Sequence, residues 1–145
     1  MNSPRESVLL AALLLINVSG CADQGVELVE IEGTVMLDNK PLHDAQVVFR
    51  PESGRPSIGI TDFDGHYVLR YTEEDAGALP GTHKVSISTY LEPDTDTDDP
   101  VRSEGFPEKV PAVYNTKTTL SQDVSPDHSE PVNFDLKSDD RTAQN

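Results

Sequence analysis

The stretch "VEIEGTVML", residues 29–37, decides the fold class, because its apolar side chains recur every second residue. Val29, Ile31, Val35 and Leu37 share one parity, and Glu30, Glu32 and Thr34 hold the other. A period of two belongs to a strand with one buried face, whereas a helix repeats its apolar positions every three to four residues. Gly33 falls on the apolar parity, where a missing side chain predicts a bulge.

The same alternation recurs downstream. "AQVVFR" (45–50) turns Ala45, Val47 and Phe49 inward and is stopped by Pro51. "HYVLRY" (66–71) puts Tyr67, Leu69 and Tyr71 on the core face; "KVSIS" (84–88) puts Val85 and Ile87 there. "VNFDL" (132–136) sets Val132, Phe134 and Leu136 against Asn133 and Asp135. Short strands with turn signals between them predict an all-β sandwich. After residue 21 no capped pattern of period 3.6 is long enough to predict a helix.

Asp38-Asn39-Lys40-Pro41 is expected to join the first two strands, since Asn39 tolerates positive φ and Pro41 presets the exit. "TDFDGHY" (61–67) follows an extended Ile58/Ile60 segment and is expected to form a hairpin connection. Asp62 can accept bonds from amides just downstream, and Gly65 can take positive φ. "EPDTDTDDP" (92–100) lacks apolar residues and periodicity, so 91–108 is expected to be a mobile acidic loop, and 138–145 a disordered polar tail.

Residues 7–21, "SVLLAALLLINVSGC", must be set apart before any fold reasoning. The apolar run from Val8 to Val18, interrupted only by Asn17, is much shorter than the ~20 residues of a membrane-spanning helix. It has the character of a signal-peptide core. Val18-Ser19-Gly20-Cys21 resembles the bacterial lipobox, which implies cleavage after residue 20 and lipidation of the Cys21 thiol. An ordinary secretory signal cut near the same place is the alternative. Cys21 is the only cysteine, so no disulfide can form within the chain. A lipoprotein anchor of two or three acyl chains holds firmly, because each buried methylene contributes ~0.8 kcal/mol. Ala22 to Gly25 form a short linker reaching at most ~14 Å, which would keep the domain against the membrane. The expected organisation is a signal peptide at 1–20, a lipidated cysteine and linker at 21–25, and one sandwich domain at 26–137.

Removing residues 1–20 takes away Arg5 and Glu6 together, so the net charge stays at −15. Nucleic acid is a poor partner for that balance, since neutralising phosphates needs clustered Lys and Arg. About 125 residues suit one domain, able to bury roughly 65% of the surface its unfolded chain exposes.

"EGTVMLDNKPLHDAQVVFRP", "GITDFDGHYVL", "GALPGTHKVSI", "VPAVYNTKTTL" and "VNFDL", in this order, resemble the carboxypeptidase regulatory-like (transthyretin-like) domain of small bacterial lipoproteins. The resemblance spans about Glu32 to Leu136. It implies a seven-stranded, prealbumin-like (Ig-like) β-sandwich in a lipid-anchored protein of the cell envelope, at the outer membrane or the periplasmic face of the inner membrane. His83 stands where the family often has an aromatic residue. Some collagen-adhesin-like relatives of this fold form an isopeptide bond between a first-strand Lys and a last-strand Asn. Asn133 is suitably placed for one, but the first strand offers Glu27, Glu30 and Glu32 and no lysine, so none is expected.

Candidate chemistry is sparse. Asp62 and Asp64 fail the register of a calcium loop, which would place His66 and Val68 at ligand positions. Asp94, Asp96 and Asp98 imitate the first ligands of such a loop, yet Asp99 holds the turn-glycine place and Gly105 that of the bidentate glutamate, leaving a weak calcium candidate beside a solvated acidic loop. His43, His66, His83 and His128 lack zinc spacing and are expected on the surface. No serine sits in a G-x-S-x-G elbow. The expectation is therefore a non-catalytic envelope module without a cofactor, held to the membrane through Cys21 and acting structurally or by contact with a protein partner. A carbohydrate-binding module is the alternative; with no Trp in the chain, Tyr90 and Tyr114 are its candidate platforms.

Overall fold

The structure, a computed structural model, describes residues 27–139. The signal segment, Cys21, the whole linker and residues 140–145 of the tail lie outside the described residues. The fold is all-β, with two sheets sharing one core and only two short helical turns among the described residues.

Strand β1 (Glu32–Leu37) centres the first sheet. It forms a hairpin with β2 (Lys40–Pro41), pairs antiparallel with β5 (His66–Val68), and pairs parallel with β8 (Phe134–Leu136). The second sheet runs β4-β3-β6-β7, from Ser57–Ile60, Gln46–Pro51, Gly81–Ser88 and Ser121–Val124, all antiparallel. The hairpin between β1 and β2 turns through Asp38 at φ 51° and Asn39 at φ 65°, as the short polar pair allows. The Asp38 carboxylate is held below its usual pKa range by the Ser138 hydroxyl, then by the Ser138 amide that it accepts at 3.1 Å, and last by the charges of Lys137 and Lys40. The start of the expected tail is thereby tied to the first hairpin.

"TDFDGHY" is a turn, but its two flanking strands do not form a hairpin. β4 belongs to the second sheet and β5 to the first, so the turn carries the chain between sheets. The two segments still lie side by side: Gly59 approaches the Val68 carbonyl, the Asp62 amide donates to the His66 carbonyl at 2.9 Å, and just past β5 Ile58 and Arg70 exchange backbone bonds of 2.9 Å, which ties the sheets together along one edge. The expected core parity holds for Val29, Ile31, Val35, Ala45, Val47, Phe49, Tyr67, Leu69, Val85 and Ile87, all buried. Tyr71 departs from it: the ring is half-buried and lies 5.5 Å beneath the Arg55 guanidinium, beyond the end of β5. His83 also departs from expectation. It faces the core from β6 with 0% exposure, packs against Phe49, and shares its Nε2 hydrogen bond with the Leu79 carbonyl at 2.8 Å.

Gly33 is not a bulge, because its pairing to Tyr67 continues the register of Glu32 with Val68 and Thr34 with His66. Its missing side chain admits the last crossing of the chain. A Cβ there would lie 1.8 Å from the Val132 carbonyl oxygen. That oxygen accepts the Tyr67 hydroxyl at 2.7 Å, and the Val132 amide donates to Glu32 at 2.8 Å. Burial pushes the Tyr67 phenol pKa up, keeping it a donor. Phe134 follows, placing its ring 6.2 Å from Phe49 of one sheet and 6.4 Å from Tyr67 of the other.

This topology gives the domain two poles. Residue 27 enters at the pole where β1 and β8 begin; the chain leaves at the opposite pole, where both strands end. That exit pole also gathers the ends of β4 and β6, the turn at 61–65 and the long connection from β6 to β7.

Candidate functional site

The exit pole holds most of the large apolar side chains that the fold leaves exposed. Phe63, at the tip of the turn between sheets, is 86% exposed; Ile60, the last residue of β4, and Tyr90, past the end of β6, are each 58% exposed, and Leu91 follows Tyr90. The turn that carries Phe63 is held by Asp62, whose Oδ1 accepts the amides of Asp64 and His66, both at 2.9 Å. Gly65 completes it at φ 75°. Asp62 is thereby a turn residue. Phe63 cannot reach the core from this tip, and its only ring neighbour among the described residues is His43, 5.9 Å away.

The connection from β6 to β7 carries more hydrogen-bonded structure than its composition predicts. Leu91 and Phe106 exchange backbone bonds of 3.0 and 2.9 Å, closing the acidic excursion at its base. Gly105, at φ 64°, is needed there because a Cβ would lie 2.4 Å from the Leu91 carbonyl oxygen. Below that bridge Glu108 acts as a clamp. Its Oε2 accepts the Ser88 hydroxyl at 2.5 Å; its Oε1 accepts the Thr89 and Val110 amides at 3.0 and 2.9 Å and the Thr89 hydroxyl at 3.1 Å. Burial of the carboxylate would raise its pKa, but these bonds outweigh that and hold it below the usual glutamate range.

Within the excursion, a short helix over Pro100–Glu104 replaces the featureless loop expected from composition. The Asp94 carboxylate accepts the Asp96 amide at 3.0 Å and faces Arg102 at 3.6 Å. Asp96 and Asp98 lie on the surface, and among the described residues no three His, Cys, Asp or Glu side chains gather as a metal site would require. Asn133 is likewise occupied, its side-chain oxygen accepting the Thr34 amide at 2.9 Å.

Of the two tyrosine platforms, only Tyr90 is available. It borders a depression of ≈ 440 Å³ with Ser88, Glu108, Asn115 and Thr116. Tyr114 is 7% exposed and packs in the core, its hydroxyl accepting the Lys137 amide at 3.3 Å; it lies in a 3₁₀ turn that period-two reasoning cannot read. Phe63 could have been found from sequence, since an aromatic between two turn aspartates has no buried face to occupy. Nothing around Glu108 distinguishes it from the chain's other acids. Compared with protein-family models, curated proteins and solved structures, the chain matches none.

Proposed function

We propose that this chain is a non-catalytic module of the bacterial cell envelope, tethered to a membrane through lipidated Cys21, with a seven-stranded, transthyretin-like sandwich of the carboxypeptidase regulatory-like kind. In this reading it works by contact with another envelope protein at the exit pole. The carrying observation is the placement of Phe63, Ile60, Tyr90 and Leu91 at the pole opposite the one where residue 27 enters. A tether at Cys21 would hold the entry pole near the lipid and present these side chains away from it. Apolar side chains gathered at one exposed end suit a contact surface. The sandwich assignment is supported by the two sheets, by the parallel pairing of first and last strands, and by the seven strands of three or more residues among those described. The non-catalytic reading is supported by the engagement of Asp62 and Glu108 in holding loops.

Two measurements test this. Intact-mass analysis of detergent-extracted protein should give a diacylglyceryl-modified chain starting at Cys21; an unmodified cysteine or another start removes the tether. A photo-crosslinking residue at Phe63 or Tyr90 should trap a discrete envelope protein, whereas one at Glu130, at the entry pole, should not. Equal trapping at all three positions, or none, would count against a partner at the exit pole.

A second reading, carbohydrate binding, is favoured by Tyr90 alone, an exposed ring beside a depression with hydroxyl and amide groups. Saturable glycan binding abolished by Tyr90→Ala would reverse the order.

A further inference from the structure

We infer that the outer face of the second sheet carries a binding site for a uronic-acid unit of an acidic polysaccharide, built on Arg50 and Lys84. The site is separate from the exit pole and needs no lipid anchor. Arg50 on β3 stands directly opposite Lys84 on β6, and Lys84 directly opposite Ser121 on β7. All three are exposed on the face turned away from the core, in one row across three strands. With Thr119 and Glu52 they line an open depression of ≈ 410 Å³.

Like charges directly opposite each other across a strand pair destabilise a sheet. The chain has 26 acidic residues against 11 basic ones, yet among the described residues neither cation has an ion-pair partner. Asp123, the other acid of this face on β7, instead accepts the Thr82 hydroxyl at 3.2 Å. Two cations side by side, with Glu52 the one acid lining the same depression, give it a local positive balance on a protein of net charge −15.

The donors and acceptors of the depression select the class of anion. The guanidinium fork of Arg50 matches the two oxygens of a carboxylate, and the Lys84 ammonium adds a point charge beside it. Ser121 and Thr119 add hydroxyl donors. Glu52, at the rim, can only accept when ionised. Inorganic phosphate is compact and holds its charge close to its hydroxyls, so it cannot meet the cations without facing Glu52 with that charge, whereas a sugar acid places its carboxylate on the cations and a separate ring hydroxyl toward Glu52. The overall negative charge opposes any anion at long range, but at 0.15 M salt that field is screened beyond ~8 Å, so the local row governs.

The test is calorimetric titration of the full chain, in detergent at 0.15 M salt, with trigalacturonate, the neutral galactotriose and inorganic phosphate. Trigalacturonate should bind with a dissociation constant in the range of about 0.1 to 1 mM, and Arg50→Gln or Lys84→Gln should each weaken it about tenfold, the worth of one charge-assisted hydrogen bond. Lys40→Gln, which removes an exposed charge on the first sheet, should leave it unchanged. Both targeted residues are exposed, and relieving their repulsion should keep or slightly raise the melting temperature, so lost binding cannot be put down to unfolding. No binding of trigalacturonate, binding indifferent to both substitutions, or equal binding of galactotriose or phosphate would each overturn the inference.

Discussion

Replacing Gly33 by alanine tests the account of how the last strand is seated. The backbone φ of Gly33 is not in the left-handed region, so the substitution carries no conformational strain of its own. Its effect comes from the new methyl group, which would fall 1.8 Å from the Val132 carbonyl oxygen and 2.5 Å from its carbon. Those are backbone atoms, and they cannot swing aside as a side chain could. The segment leading into β8 must lift away from β1. Lifting breaks the Val132 to Glu32 bond and strains the bond from Thr34 to Asn133, at about 1 kcal/mol each. It leaves the buried Tyr67 hydroxyl without its acceptor, which costs about 1 to 3 kcal/mol. Partial exposure of Val132 adds about 1 kcal/mol. The expected loss is about 4 to 6 kcal/mol, comparable with the whole stability of many domains of this size.

Urea unfolding followed by circular dichroism should therefore show Gly33→Ala largely unfolded or shifted to a much lower midpoint. A cycle with Tyr67→Phe sharpens the test. That change alone should cost about 1 to 2 kcal/mol, and the double variant should lose less than the sum, because both substitutions act through the same Val132 carbonyl. A Gly33→Ala loss below about 1 kcal/mol, or strict additivity, would refute the close approach of β8 to β1 as the reason for the glycine.

Glu108 has its pKa lowered in the folded chain, so its contribution to stability is present above the unfolded value near ~4.3 and is lost as pH falls through the folded one; Glu108→Gln should lower stability at neutral pH and flatten its decline below pH ~4.5, as melting temperatures against pH would show. His83→Ala should destabilise by about 2 to 4 kcal/mol in urea unfolding, since it opens a cavity beside Phe49 and frees the Leu79 carbonyl. Phe63→Ser should change stability by no more than ~0.5 kcal/mol, because the ring is already 86% exposed, while abolishing the crosslink formed from position 90 at the exit pole. Calcium should raise the melting temperature negligibly below millimolar concentrations, as the Asp94 carboxylate already serves the Asp96 amide and faces Arg102; a dissociation constant below ~100 μM, lost on changing Asp94, Asp96 and Asp98 to Asn, would show otherwise.

The inward parity of most strands was legible because each strand pairs a buried face with a solvated one, and that contrast is written at every second residue. Where both neighbours of a segment are protein, the contrast fades. His83 reads as polar yet faces the core, because one ring nitrogen meets a local carbonyl four residues back while the ring body packs on Phe49. Tyr71 reads as the third member of an inward series, but β5 has ended three residues earlier and the parity no longer applies. Beyond the tight turn at Asp38 and Asn39, the pairing of strands was not legible. "TDFDGHY" has the composition of a hairpin turn, and the same Asp62 and Gly65 geometry serves equally well to send β5 into the other sheet. What decides between them is long-range: β5 finds Glu32 to Thr34 on β1, and Gly33 leaves room for Val132 above it.

The candidate surfaces divide along the same line. Phe63 was present in the sequence as an aromatic with nowhere to hide, and Tyr90 as one of two exposed-ring candidates, of which the fold removed Tyr114 by burying it. Glu108 was invisible because a clamp is defined by the donors that converge on it, and Ser88, Thr89 and Val110 come together only after the acidic excursion has closed at Leu91 and Phe106. The row of Arg50 and Lys84 shows the limit most clearly. Each cation sits on the solvent parity of its own strand, where a charge is ordinary, and only the register of β3 against β6 reveals that the two stand face to face. A repulsion of that kind is a property of pairing rather than of either strand, so any function resting on it has to be read from the sheet.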